Sequence, residues 1–76
     1  MLNYKNFITS DYRIMLGKPI IKGTRITVEL VLKKLSENSS INDIIEMYPN
    51  LTSEQVLACI EYAAEVISNE EVLEFA

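Results

Sequence analysis

Arg13, Lys18, Lys22 and Arg25 place four cations within thirteen residues. The overlapping stretch GKPIIKGTRITVEL, residues 17–30, also holds Gly17, Pro19 and Gly23, the chain's two glycines and one of its two prolines. Cations beside turns can hold an anion, because free backbone N–H groups join the side chains on a phosphate. A plainer reading of the same residues is structural. Gly17 and Gly23 supply turn geometry, and Pro19 fixes a strand edge. Lys18 and Lys22 are then solvated turn residues that discourage edge-to-edge pairing. Arg25 has a further option, an ion pair with a carboxylate of the later half that ties strand to helix.

Other residue types offer less. Cys59 is the one cysteine and the chain has no histidine, so a Cys–His nucleophile pair cannot form within it. A zinc or iron site is not expected for the same reason. Cys59 itself reads as a small, buried or half-buried hydrophobe in mid-helix. Asp43 and Glu46 are spaced i, i+3, which suits a carboxylate pair but suits a solvated helix face better. Tyr4, Tyr12, Tyr48 and Tyr62 could stack on bases, although tyrosines more often edge a core. No phosphate-binding GxxxxGK loop and no nucleophile elbow occur. The sequence therefore gives no catalytic residue, no metal and no cofactor, and does not read as an enzyme.

Charge is divided along the chain. All seven cations lie in residues 1–34 with only Asp11 and Glu29 against them, a balance of +5. Residues 35–76 hold nine carboxylates and no cation, a balance of −9. Such asymmetry points to a partner. The polar start MLNYKNFITS does not read as a signal peptide, and no apolar run reaches the roughly 20 residues of a membrane helix. With one free cysteine, the expectation is a cytoplasmic protein that does not enter a membrane.

Seventy-six residues suit a single domain over 1–76, one that buries only about 60% of its unfolded surface. Residues 1–27 read as a β element of two or three very short strands. Phe7-Ile8 and Ile14-Met15-Leu16 flank a turn at Ser10-Asp11. Ile20-Ile21 and Arg25 to Val28 flank Lys22-Gly23-Thr24 as a hairpin with a positive-φ glycine. Residues 28–76 read as a helical bundle. Thr27 caps a helix of 28–37 with the stripe Val28, Val31, Leu32, Leu35, supported by a Glu29–Lys33 pair at i, i+4. Asn38-Ser39-Ser40 breaks it, and Ser40 caps a helix of 41–48 with Ile41, Ile44, Ile45 and Tyr48 inward. Pro49 stops that one. Thr52 and Gln55 form a capping box for a third helix to about Ile67. Its expected core stripe is Val56, Leu57, Ile60, Ala63, Ala64 and Ile67, with Glu54, Ala58, Glu61 and Glu65 outward. Asn69 to Phe75 reads as a short further helix or a continuation. The fold class is mainly α, a small N-terminal β element followed by a three-helix, helix-turn-helix-like bundle.

The outward carboxylates argue against the third helix as a DNA-reading helix, since cations supply the sequence-independent affinity for a polyanion. Nucleic-acid contact would fall to Arg13, Lys18, Lys22 and Arg25.

The run Gly-Lys-Pro, two apolar residues, a cation, then Gly-Thr-Arg-Ile-x-Val resembles the signature of a widespread prokaryotic family, domain of unknown function 433. Tyr48-Pro49, Leu51-Thr52 and a helix with Ala58, Tyr62 and Ala63 resemble its second half. The resemblance covers roughly residues 7–66. Where many relatives have a proline after the acidic turn residue, this chain has Tyr12. The resemblance implies a homeodomain-like core and a VapB-type antitoxin that binds and neutralises a PIN-like ribonuclease toxin, with operator DNA binding as a homodimer. Glu61 and Glu65, with Val72, Leu73 and Phe75, would then cover the toxin's RNA-binding surface. A DNA-binding regulator without a toxin and a structural dimerisation module are the other readings. Gly17, Pro19, Gly23, Thr27, Ser40 and Thr52 carry turns and caps in all of them.

Overall fold

A computed structural model describes residues 4–69. A single 3-10 turn, Tyr4–Asn6, leads into β1, Ile8–Thr9. A second, Met15–Gly17, precedes β2, Ile20–Ile21, and three helices follow: α1, Val28–Ser36; α2, Ile41–Met47; α3, Ser53–Ser68. The architecture is mainly α with a small N-terminal β element. The short further helix expected over Asn69 to Phe75 lies, past Asn69, outside the described residues.

Two strands form, fewer than the longer reading of the sequence. β1 and β2 pair antiparallel with Ile8 opposite Ile21 and Thr9 opposite Ile20. Ile8 and Ile21 join the core cluster with the helices, while Ile20 is buried outside it and lines the cleft described below. Arg25 to Val28 does not make a strand. Thr27 bridges Ile20 and the Ile21 N–H donates to the Ile26 carbonyl at 2.9 Å, but pairing ends there. Thr27 is extended at φ −80°, ψ 152°, while its side chain already accepts from the Leu30 N–H at 3.0 Å. One residue ends the strand-like segment and starts the helix. Gly23 takes the positive φ expected of it, +79°, in a turn closed by Thr24 N–H to the Ile21 carbonyl at 3.0 Å.

Ile14 to Leu16 is not a strand either. Met15 and Leu16 adopt left-handed φ values of 52° and 56°, followed by Gly17 at 83°. Asp11 and Ile14 form an isolated bridge, with the Ile14 N–H on the Asp11 carbonyl at 2.8 Å. The chain closes a tight loop that β-branched and long residues do not favour. Leu16 is 80% exposed, so little packing offsets its strain. Leu16→Asn is expected to raise stability by about 1 kcal/mol, since asparagine tolerates the left-handed region. A denaturant midpoint no higher than that of the parent protein would refute it.

The helix caps follow the sequence closely. Ser40 accepts from the Asp43 N–H at 3.0 Å, and the Asp43 carboxylate accepts from the Ser40 N–H at 2.8 Å. Asp43 thus serves as a capping group. Thr52 and Gln55 make the same reciprocal box at 3.2 and 2.8 Å. Asn38 ends α1 at φ 71°, with the Ser39 N–H on the Lys34 carbonyl and the Asn38 N–H on the Leu35 carbonyl. This is a Schellman closure with asparagine where glycine is usual.

α3 is rotated from the expected stripe. Val56, Ala58 and Cys59 are buried and Tyr62 packs against the core, its ring edge-on to Tyr4 at 5.4 Å. Leu57, Ile60 and Ile67, expected inward, are 45%, 40% and 68% exposed, and Ala58, expected outward, has no exposed surface. Small Ala58 and Cys59 let neighbouring elements approach α3 closely. Tyr62 brings the N-terminal turn down onto it. The larger aliphatics are left on the far side.

Candidate functional site

The predicted cations come out unequal. Arg13 is bound to Asp11, its Nε and Nη2 donating to the two carboxylate oxygens at 3.1 Å. The guanidinium and the Arg13 N–H hold the Asp11 carboxyl below its usual range. Lys18 Nζ donates to Glu29 at 3.0 Å, so Glu29 pairs across the fold and not with Lys33 on its own helix. The Gly17–Lys18–Pro19 turn carries Lys18 over the start of α1, a placement that helix spacing cannot foresee. Both pairs lie at the surface, where solvent screening leaves an ion pair little net effect on stability.

Lys22 and Arg25 are exposed and make no ion pair among the described residues. The tie between Arg25 and a carboxylate of the later half is therefore not formed there. Both acids of residues 1–34 are used by cations of the same segment. The charge division of the sequence survives in the fold.

Arg25 lines a cleft of about 640 Å³ between the loop after β1 and the turn after β2, with mixed polar and apolar walls that include Ile14 and Ile20. Thr9, Ser10, Asp11 and Tyr12 form one side; Gly23, Thr24 and Arg25 form the other. β1–β2 pairing brings the two segments together. The Thr24 hydroxyl is committed, donating to the Ile21 carbonyl at 2.8 Å and accepting from the Ile26 N–H at 3.0 Å. The hydroxyls of Thr9 and Ser10 make no hydrogen bond among the described residues. Tyr12 is 79% exposed at the rim.

A second surface lies on α3. Leu57, Ile60, Ala64 and Ile67, spaced i, i+3, i+7, i+10, form an exposed apolar ridge along one face. Glu54, Glu61 and Glu65 run beside it, Glu61 half-buried and the others exposed. No Lys or Arg occurs in α3. Around the helix from the ridge, Tyr62, Ala63, Val66 and Ile67 meet Pro19, Val28 and Leu32 in an apolar groove of about 480 Å³ against α1. Ile67 belongs to both, so the apolar surface is continuous. Glu61 and Glu65 thus border an aliphatic ridge that the sequence reading had put in the core. Its spacing was the available signal. Val72, Leu73 and Phe75 lie outside the described residues.

Of the structural residues, Thr27, Ser40 and Thr52 cap as expected, and Gly17 and Gly23 hold positive φ. The Pro19 carbonyl accepts from the Val28 N–H at 3.0 Å, locking β2 to the start of α1. Among the described residues no cluster of three His, Cys, Asp or Glu could hold a metal, and no helix is long and apolar enough to cross a membrane.

A family model described as "Protein of unknown function (DUF433)" matches residues 8–63. No curated protein and no solved structure matches the chain.

Proposed function

This chain belongs to the DUF433 family, and from that premise we propose that it is an antitoxin-like module that binds and neutralises a PIN-like ribonuclease. The observation that carries the reading is the ridge Leu57–Ile60–Ala64–Ile67 beside Glu54, Glu61 and Glu65. A monomer seldom keeps an apolar strip of this kind unpartnered. A surface built to hold RNA is cationic. The carboxylates steer encounter with it, and the aliphatic side chains set the residence time. Val72, Leu73 and Phe75 would lengthen the same contact.

Repression of its own operon is the secondary role in this reading, exerted by a homodimer. The outward residues of α3 do not favour a place in the major groove, because they set carboxylates and no cation against phosphate. Nucleic-acid contact in that role falls to the basic segment, residues 1–34.

The test is titration of the purified protein into an RNA-cleavage assay of the ribonuclease encoded beside it. Inhibition is expected to saturate at a fixed stoichiometry. Ile60→Glu is expected to weaken it at least tenfold without unfolding the chain, because Ile60 already meets solvent. Glu61→Lys with Glu65→Lys should slow association and reduce its salt dependence. Full potency of Ile60→Glu would remove the ridge from the contact. Uninhibited cleavage at excess protein would end the antitoxin reading.

A further inference from the structure

The cleft beside β1 and β2 is not explained by the α3 ridge, and its chemistry points to a different ligand. We propose that it binds single-stranded nucleic acid, with a phosphate held by Arg25 and the backbone of the turn before it, and an unpaired base stacked on Tyr12. The proposal stands whether or not α3 binds a ribonuclease.

Four observations converge. The cleft is concave and holds about 640 Å³, within the range of small-ligand sites and enough for one nucleotide unit. The cation that lines it is Arg25, which is exposed and makes no ion pair among the described residues. The N–H groups of Gly23 and Arg25 in that turn donate to no acceptor among the described residues. With Gly23 at φ +79°, this is the kind of backbone concavity that receives an anion. Asp11 lines the same cleft and would repel a phosphate, but Arg13 holds its carboxylate in a two-point pair.

Tyr12 decides between single strand and duplex. The residue lines the cleft with 79% of its surface in solvent and is not among the side chains packed against the core. Stacking on an aromatic ring requires an unstacked, unpaired base. A duplex would use Arg25 and leave the ring idle. The free hydroxyls of Thr9 and Ser10 add donors and acceptors for base edges or sugar on the opposite wall. None of these groups reads a sequence by itself, so a strand is expected to bind with little sequence preference.

The experiment is fluorescence anisotropy of labelled ten-nucleotide oligothymidylate and of a ten-base-pair duplex, at low salt, with the full chain. The single strand is expected to bind at least fivefold tighter than the duplex. Tyr12→Ala and Arg25→Gln are each expected to weaken it about tenfold. Lys34→Gln, which removes the same charge from α1 away from the cleft, should change it less than twofold. Circular dichroism checks that each variant folds; Tyr12 and Arg25 are exposed and Lys34 is half-buried. Three results would overturn the proposal: no binding to the strand, duplex bound as tightly as strand, or a Tyr12→Ala variant that binds like the parent.

Discussion

Ile44→Ala is expected to leave the chain largely unfolded near 37 °C. Ile44 has no exposed surface and is the one fully buried residue of α2. α2 has seven residues, far below the length at which a helix stands alone in water, so it persists because Ile44 anchors it. Deleting a buried isoleucine to alanine costs about 3 to 4 kcal/mol, lost transfer energy and residual cavity together. A 76-residue domain has about 4 to 11 kcal/mol in all. The variant therefore consumes most or all of the low end of that range. Urea unfolding read by circular dichroism is the measurement. With a slope of about 1 kcal/mol per molar for a chain of this size, the midpoint should fall by about 3 M. Ile60→Ala, on the exposed ridge of α3, should move it by well under 1 M. Equal shifts for the two would mean that α3 packs by its other stripe and that the ridge is core.

That comparison turns on the feature hardest to read from sequence. α3 carries two apolar stripes, Val56–Cys59–Tyr62 and Leu57–Ile60–Ala64–Ile67, and both keep helical spacing. Periodicity cannot choose between them. The choice is made by Tyr4, nearly sixty residues earlier, whose ring meets Tyr62, and by the small side chains of Ala58 and Cys59. Local devices were legible because their causes are local. Thr27, Ser40 and Thr52 each satisfy an N–H three residues on, and Asn38 closes α1 by its own backbone. Met15 and Leu16 looked like strand residues by type, yet the loop forces them left-handed. The partner of Glu29 was misjudged for the same non-local reason, since Lys18 arrives through a turn. Of the candidate sites, the basic residues were visible as types. The cleft was not, because Ser10 and Thr24 are joined only by strand pairing. The ridge has the spacing of a core stripe, and only the rotation of α3 sets it on the surface.

The last expectation follows from that rotation, which buries Cys59 completely. Loss of solvent disfavours the thiolate, and burial pushes the thiol up from 9.0 to about 11. In the unfolded chain the thiol ionises near its ordinary value. Between pH 9 and 11 the unfolded state gives up a proton that the folded state keeps, so stability falls as pH rises. The contribution is fully present below pH 9 and is lost by about pH 11, roughly 2 kcal/mol in total. The clean reading is the difference from Cys59→Ala, which cancels every contribution the two proteins share. At pH 7 that variant should be less stable by about 1 kcal/mol, from the lost sulfur packing. Its alkaline slope should be shallower, so that the order of stability reverses above about pH 10. Urea midpoints at pH 7, 9 and 10.5 measure this. Parallel curves for the two proteins would mean that the thiol reaches water in the folded state. A thiol reagent gives a second readout: in the folded chain Cys59 should react only as fast as the chain opens, because the reactive thiolate is suppressed and shielded. Rapid labelling at neutral pH would place Cys59 on the exposed side of α3, and the ridge back in the core.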